Sequence, residues 1–142
     1  MKMVDTVFAF SDLQVGDVLP ALEIPIGVSD IVAMSIATRD FHPVHHDAQT
    51  AQRLGHPGLF INIMTTAGLV ERYLRSWCGP QGRLGALKLK LGVPHYAGEV
   101  LAFAGAVAAQ GKDEAGSWVD VSFTGSNPRG RHASGQVRIL WM

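Results

Sequence analysis

The stretch LFINIMTTAGLVERYLRSW, residues 59 to 77, decides the fold, because its apolar residues recur at every third or fourth position. This spacing is typical of a long amphipathic helix, and it predicts one over residues 59–77. The apolar stripe is formed by Phe60, Ile63, Met64, Ala67, Val70, Leu74 and Trp77. A stripe of this width needs a large apolar surface to cover it, so Met64 and Trp77 are expected in the core.

The second half of the chain supplies that surface as a series of alternating patterns. Leu87, Leu89 and Leu91 alternate with lysines, which is typical of a strand with one face in water. Further strands are predicted near residues 22–28, 101–107, 119–123 and 137–141. Turn-forming residues at 111–113 and 127–130 separate the later ones. The expected architecture is therefore α+β, with four or five antiparallel strands wrapped around one long central helix.

The composition limits the possible functions. With 142 residues, 47% of them hydrophobic, residues 1–142 are expected to form a single domain around one core. Twelve basic and twelve acidic residues give zero formal charge, so no broad attraction to nucleic acid or to an anionic membrane is expected. The one cysteine, Cys78, cannot form an intramolecular disulfide, and no signal peptide or membrane-spanning stretch is recognisable. A cytoplasmic location is expected.

Two shorter helices are predicted upstream of the long one. The first follows Ser29, a suitable N-cap, and is expected to run into Arg39. Pro43 disfavours helical geometry in the residue before it, so residues 40–47 are expected to form a loop. A short helix over residues 48–54 then leads toward the central helix.

That loop, with the sequence DFHPVHHD at residues 40–47, contains three of the six histidines of the chain. The ring of Pro43 stiffens it, which would allow His45 to turn back toward Asp40 until both side chains face one water molecule. A histidine, with an unperturbed pKa of about 6.5, and an ionised carboxylate are suitable partners for general acid–base chemistry near neutral pH. Asp40 and His45 are therefore candidate catalytic residues.

Two other interpretations of this loop remain open. His42, His45, His46 and Asp47 are all metal-ligand types, but four ligands in one tight loop would struggle to form a tetrahedron, and no metal is expected. Asp40 could also pair with a neighbouring side chain in a purely structural role. Asp47 is better placed to cap the helix that follows than to act as an acid.

The stretch ATRDFHPVHHD resembles the hydratase signature of the MaoC-like, (R)-specific enoyl-CoA hydratase family, whose members have the hot-dog fold. The matching positions are Asp40, Pro43, Val44, His45 and Asp47. His42 replaces the usual asparagine, and Arg39 stands where glycine is common. The segments FINIMTTAGLVERY and LKLGVPHYAGEV extend the likeness, with Ile61-Asn62 where family members carry His-Gly. Within the family, the chain looks closest to the small MaoC-like subunit of bacterial steroid side-chain hydratases.

The resemblance implies an enzyme that adds water to a 2-enoyl-CoA thioester and forms a 3-hydroxyacyl-CoA, with Asp40 and His45 as its catalytic pair. It also implies a bulky, steroid-like acyl group and a homodimer, or a heteromer with a second MaoC-like chain. No cofactor is expected, because coenzyme A belongs to the substrate. Backbone N–H groups near Asn62 and Ile63 are the expected donors to the thioester oxygen, with the Asn62 side chain as a weaker candidate and His46 as a substrate-adjacent residue.

Two alternatives to hydration share the same fold. One is an acyl-CoA thioesterase, and the other is a non-catalytic acyl-CoA-binding subunit of a heteromeric complex. Outside the loop, His56 and His95 lie beside prolines and could reach a substrate pocket. Arg129 and Arg131 could meet coenzyme A phosphates, although a solvated hairpin tip is the favoured interpretation of this pair.

Overall fold

The computed structural model describes residues 8–142, so the first seven residues of the predicted domain lie outside it. Residues 8–142 contain three α-helices, α1 (Val28–Ala37), α2 (Ala48–Arg53) and α3 (Ile63–Cys78). The strands are β1 (Leu22–Pro25), β2 (Gly82–Leu91), β3 (Val100–Asp113), β4 (Gly116–Asn127) and β5 (Gly130–Trp141). No helix within residues 8–142 is long and apolar enough to span a membrane.

All five strands join one antiparallel sheet in the order β1-β3-β4-β5-β2. Its centre is apolar: Val121 of β4 pairs with Val107 of β3 on one side and with Val137 of β5 on the other. The same sheet face covers α3, where Tyr73 stacks on Phe103 with ring centres 5.4 Å apart. The predicted architecture of an antiparallel sheet wrapped around a long helix is confirmed.

The central helix begins four residues later than predicted. Residues 59–61 are extended instead, because the Leu59 carbonyl accepts the Ala97 N–H at 3.0 Å and the Ile61 N–H donates to the His95 carbonyl at 3.1 Å. Asn62 then caps α3 by accepting the Thr65 N–H at 2.9 Å. An apolar run of three residues suits a strand as well as a helix, so periodicity alone misplaced the boundary.

The buried face of α3 also differs from the predicted stripe. Ile63 and Met64 are 51% and 58% exposed, so placing Met64 in the core was wrong, whereas Trp77 is partly buried and packs against the core. The residues turned inward are Thr65, Thr66, Leu69, Val70, Tyr73, Leu74 and Cys78. Two of these are threonines, whose burial depends on hydrogen-bond partners elsewhere in the fold. The side of α3 that carries Met64 faces away from the sheet's core.

The segments around α1 were predicted with small errors. Strand β1 stops at Pro25, and α1 starts at Val28, one residue before the predicted cap Ser29. The Asp30 carboxylate accepts the Gly27 N–H at 2.8 Å and so closes the first turn. The helix ends at Ala37, two residues short of the predicted end. Downstream, residues 111–113 continue β3 and do not form the predicted turn, whereas the chain does reverse between Asn127 and Gly130.

The pairing of β5 with the edge strand β2 requires a glycine at position 135. A Cβ on Gly135 would overlap the Lys88 carbonyl oxygen, whereas a Cβ on Gly58 would meet nothing within 4 Å. We therefore expect Gly135→Ala to lower the free energy of unfolding by about 1–3 kcal/mol, as overpacking does. Gly58→Ala should change it by less than about 0.5 kcal/mol. Urea denaturation of both variants measures the difference, and equal stabilities would contradict this account of the β2–β5 contact.

Candidate active site

The end of α1 and the loop after it bring Asp40 and His45 together. Arg39 adopts a left-handed backbone conformation, with φ of 56°, which turns the chain sharply after the helix. The Asp40 N–H then donates to the Ser35 carbonyl at 2.9 Å, and a single 3₁₀ turn over Pro43–His45 reverses the chain again. As a result, His45 Nε2 lies 3.4 Å from Asp40 Oδ2. The predicted approach of these two side chains is present in the structure.

The tautomer of His45 follows from its surroundings. Its Nδ1 lies 2.7 Å from the Phe60 carbonyl oxygen, which can only accept, so Nδ1 carries the proton. Nε2 of the neutral ring therefore presents a lone pair toward the Asp40 carboxylate. The His45 side chain is 8% exposed, whereas that of Asp40 is 36% exposed. The 3.4 Å separation is too short to hold a water molecule between the two atoms, but a water molecule beside them can donate to both.

Asp40 is held in its ionised form by hydrogen bonds. The Asn62 amide donates to Asp40 Oδ2 at 3.0 Å, and the His42 N–H donates to Oδ1 at 3.2 Å. The Asn62 bond is the main reason that the pKa of Asp40 lies below its ordinary value; it outweighs the opposing effect of partial burial, and the His42 N–H adds a smaller effect in the same direction. The carboxylate is charged at neutral pH.

Asn62 links this carboxylate to the start of the central helix. Its Oδ1 accepts the Thr65 N–H as the helix cap, while its Nδ2 donates both to Asp40 and to Thr38 Oγ1, the latter at 2.9 Å. Sequence reasoning proposed Asn62 as an oxyanion donor and missed its contact with Asp40. The signal was available, because asparagine is a preferred N-cap, but the helix start had been placed too early.

The other predicted site residues lie around this pair. Ile63 is the first residue of α3, where backbone N–H groups lack acceptors within the helix. His46 is exposed, and its backbone N–H donates to the Pro43 carbonyl at 3.0 Å. Asp47 caps α2 by accepting the Gln49 N–H at 3.0 Å, which confirms the expected role.

A metal site in the loop would need the side chains of His42, His45, His46 and Asp47 to point toward one position. His45 faces Asp40, and the Asp47 carboxylate is occupied by α2, where it also accepts the Thr50 hydroxyl at 2.7 Å. Across residues 8–142 no three His, Cys, Asp or Glu side chains are grouped so that they could hold a metal ion. In the part of the chain that the structure describes, these side chains therefore do not converge on one point.

A second pair of histidines is buried behind the site. His132 accepts from the Thr66 hydroxyl through Nε2 at 2.9 Å and donates from Nδ1 to the Val93 carbonyl at 2.7 Å. His95 is fully buried, which differs from the surface position that is commoner for a histidine beside a turn. Burial lowers the pKa of both histidines, and they remain neutral near pH 7. The sequence around His132 contains no pattern that predicts its buried hydrogen bonds to Thr66 and Val93.

An apolar groove opens beside the pair. It has a volume of about 340 Å³ and lies between α1 and the exposed side of α3. Its lining residues are Met34, Ala37, Thr38, Met64, Thr65, Gly68, Leu69 and Arg72. Thr38 connects it to the site, since the hydroxyl of this lining residue accepts from the amide that holds Asp40. The groove therefore begins one side chain away from the carboxylate.

The chain is similar to a curated protein of known activity. It is 38% identical over 125 residues to the 3-oxo-4,17-pregnadiene-20-carboxyl-CoA hydratase beta subunit of Mycobacterium tuberculosis, a match that covers 88% of this chain and 94% of that one. The chain belongs to the MaoC-like hydratase family. This membership confirms the family inferred from the signature around Asp40, although no family model matches the sequence.

Solved structures of MaoC-like hydratases share the fold. A chain of the ChsH1-ChsH2 complex from Mycobacterium tuberculosis superposes with a TM-score of 0.83 at 37% identity, covering 91% of this chain and 98% of that one. The (R)-hydratase of A. caviae involved in PHA biosynthesis gives 0.83 at 20% identity, with coverages of 94% and 100%. The MaoC-like dehydratase of Rhodospirillum rubrum gives 0.76 at 21% identity, with coverages of 94% and 97%. The predicted hot-dog fold is confirmed.

The contact between Asn62 and Asp40 can be tested without any assay of activity. Serine caps helices about as well as asparagine but carries no amide, so Asn62→Ser should keep α3 and remove the donor to the carboxylate. We expect the pKa of Asp40 to rise toward its ordinary value in this variant. Carbon-13 NMR titration of the carboxyl groups measures it, with Asp47 as an internal control whose pKa should not move. An unchanged pKa of Asp40 would show that the amide does not stabilise the charge.

Proposed function

We propose that this chain is an enoyl-CoA hydratase that adds water across the double bond of a 2-enoyl-CoA thioester. The observation that carries the proposal is the 3.4 Å separation of His45 Nε2 and Asp40 Oδ2, two acceptors that converge on one point. A water molecule beside the pair donates one hydrogen bond to each acceptor. Its oxygen lone pair is then directed away from the pair and toward a bound substrate.

The reaction needs a base for water and an acid for the substrate. As the water oxygen bonds to C3, His45 Nε2 takes one of the water protons, and Asp40 keeps the other one oriented. The same nitrogen then returns its proton to C2, which restores the neutral imidazole and completes the 3-hydroxyacyl-CoA. Because the Phe60 carbonyl holds the proton of Nδ1, the ring offers Nε2 in every cycle.

Charge that develops on the thioester oxygen requires donors at the start of α3. The backbone N–H of Ile63 lies in the first helical turn, where the helix dipole favours negative charge. In the proposed assignment, the backbone near Asn62 and Ile63 binds this oxygen. The Asn62 side chain is committed to Asp40 and Thr38 and supports the site indirectly. His46, exposed beside the pair, contacts the substrate at the site entrance.

The acyl group is proposed to be bulky and steroid-like. The Mycobacterium tuberculosis relative is named for a pregnadiene carboxyl-CoA substrate. The groove beside Asp40 is apolar, and the glycine at position 68 leaves part of its wall without a side chain. Apolar walls with few polar groups suit a hydrocarbon ring system. We place the acyl group in this groove, with its C3 carbon toward the paired acceptors.

A second MaoC-like chain is the proposed partner. The relative is a beta subunit, and the similar solved chain comes from the ChsH1-ChsH2 complex. Strand β2 lies at the sheet edge, paired on one side with β5 and on the other with no strand of the described residues. An unpaired edge of ten residues favours association with another chain. The proposed enzyme works in the cytoplasm without a cofactor beyond its coenzyme A substrate.

Removal of either member of the pair should abolish hydration. Asp40→Asn and His45→Ala are each expected to lower kcat by at least about 10²-fold, the usual contribution of a positioned acid or base. The measurement is loss of the enoyl-thioester absorbance band, with the chain alone and with its partner. Glu114→Ala is the control, because this exposed residue lies in the turn between β3 and β4, outside the pair and its loop.

The same experiment separates the alternatives. Release of free coenzyme A thiol by the wild-type protein would indicate a thioesterase. Tight binding of enoyl-CoA with no change in absorbance, with or without the partner, would indicate a binding subunit. Full activity in both Asp40→Asn and His45→Ala would place the chemistry elsewhere.

The groove assignment predicts a change in substrate preference. A Cβ on Gly68 would meet no other atom within 4 Å, so a larger side chain there should enter the groove without disturbing the helix. We expect Gly68→Leu to lower kcat/KM for a steroid-like enoyl-CoA at least about tenfold and to leave crotonyl-CoA within about threefold. Gly58→Leu, outside the groove, is the control. An equal loss for both substrates would contradict the placement of the acyl group.

A further inference from the structure

The structure fixes the side chain of Arg129 at the tip of the β4–β5 hairpin. Its Nε donates to the Glu99 carboxylate at 2.8 Å, and its guanidinium lies 4.6 Å from the centre of the Tyr96 ring. The turn itself is tied down by Asn127, which accepts the Arg129 N–H at 2.9 Å and donates to the Pro94 carbonyl at 3.0 Å. An arginine at a solvated tip would not need these restraints.

The restrained guanidinium keeps donors free for a ligand. About half of the side chain (48%) is exposed, and within residues 8–142 the hydrogen bonds of Arg129 use its Nε but neither terminal nitrogen. A planar guanidinium can bind a carboxylate along one edge and a phosphate along another. Because Glu99 and Tyr96 already fix the guanidinium plane, the Arg129 side chain would lose little conformational entropy on binding a ligand.

A line of aromatic contacts connects this tip to the acid–base pair. The ring of Phe60 packs against His45 at 5.1 Å on one side and against Tyr96 at 6.1 Å on the other, measured between ring centres. The Tyr96 hydroxyl is bonded to His56 Nδ1 at 2.8 Å, which holds the ring in place. Arg129 follows as the next group in this line. Three successive side-chain contacts therefore link the arginine to the proposed reaction centre.

We propose that Arg129 binds a phosphate group of the coenzyme A portion of the substrate. This inference rests on the proposed function, because the thioester is what brings these phosphates to the protein. It gives Arg129, which remains half exposed at the hairpin tip, a role that Arg131 does not share. The Arg131 side chain is exposed and makes no hydrogen bond among the described residues.

The test compares two thioesters that differ only in their phosphates. Arg129→Gln should raise KM for enoyl-CoA by about tenfold, the size expected from losing a charge-assisted hydrogen bond, with little change in kcat. The same variant should leave kcat/KM unchanged for the matching enoyl-pantetheine, which carries no phosphate. Arg131→Gln removes an equal charge two residues away and should change neither parameter by more than about twofold. All measurements use the assembled enzyme.

Two results would overturn the proposal. One is an equal loss for enoyl-CoA and enoyl-pantetheine in Arg129→Gln, and the other is the same effect in Arg131→Gln, which would indicate a general charge effect. Calorimetry with free coenzyme A and with pantetheine tests the same contact without turnover. If the wild-type protein hydrates neither thioester, the proposed function fails. The phosphate site then stands if coenzyme A binds more tightly than pantetheine only when Arg129 is present, and falls if it does not.

Discussion

The amide of Asn62 is the contact on which the site depends, because three elements of the fold meet there. It caps the central helix, bonds to the last turn of α1 through Thr38, and donates to the Asp40 carboxylate. Asn62 itself is buried, and these bonds satisfy both ends of its amide. The chemistry of the carboxylate and the position of the helix are therefore set by the same side chain.

The acid–base pair rests on a second support in the strand-like segment before the helix. Residues 59–61 pair with residues 95–97 across the end of the sheet, and the Phe60 carbonyl that this pairing fixes selects the tautomer of His45. Deeper in the interior, Thr66 and His132 form a buried hydrogen bond where an apolar contact would be more usual. Such pairs have specific partners and resist sliding of the helix along the sheet.

The sequence predicted the parts of the structure that depend on local pattern. Alternation at Leu87, Leu89 and Leu91 located β2, and Pro43 located the loop that brings His45 toward Asp40. Features set by distant contacts were missed. The start of α3 depends on a pairing with residues 95–97, and the burial of Thr66 depends on a histidine 66 positions away. The groove was also missed, because its two walls belong to different helices. The role of Asp40 and His45 in catalysis stays a prediction.

The hydrogen bond between the Phe60 carbonyl and His45 also bears on how the protein unfolds. The residues that form the site are close in sequence, with 15 positions between Phe60 and His45 and 22 between Asn62 and Asp40. The strand-like segment that presents this carbonyl, however, is held by the loop before β3, so the site does not assemble from its local pieces alone. Fraying of that loop would release the imidazole while the sheet remained intact. On heating, the protein would then lose activity through a small local opening, at a temperature below that of the cooperative unfolding of its core.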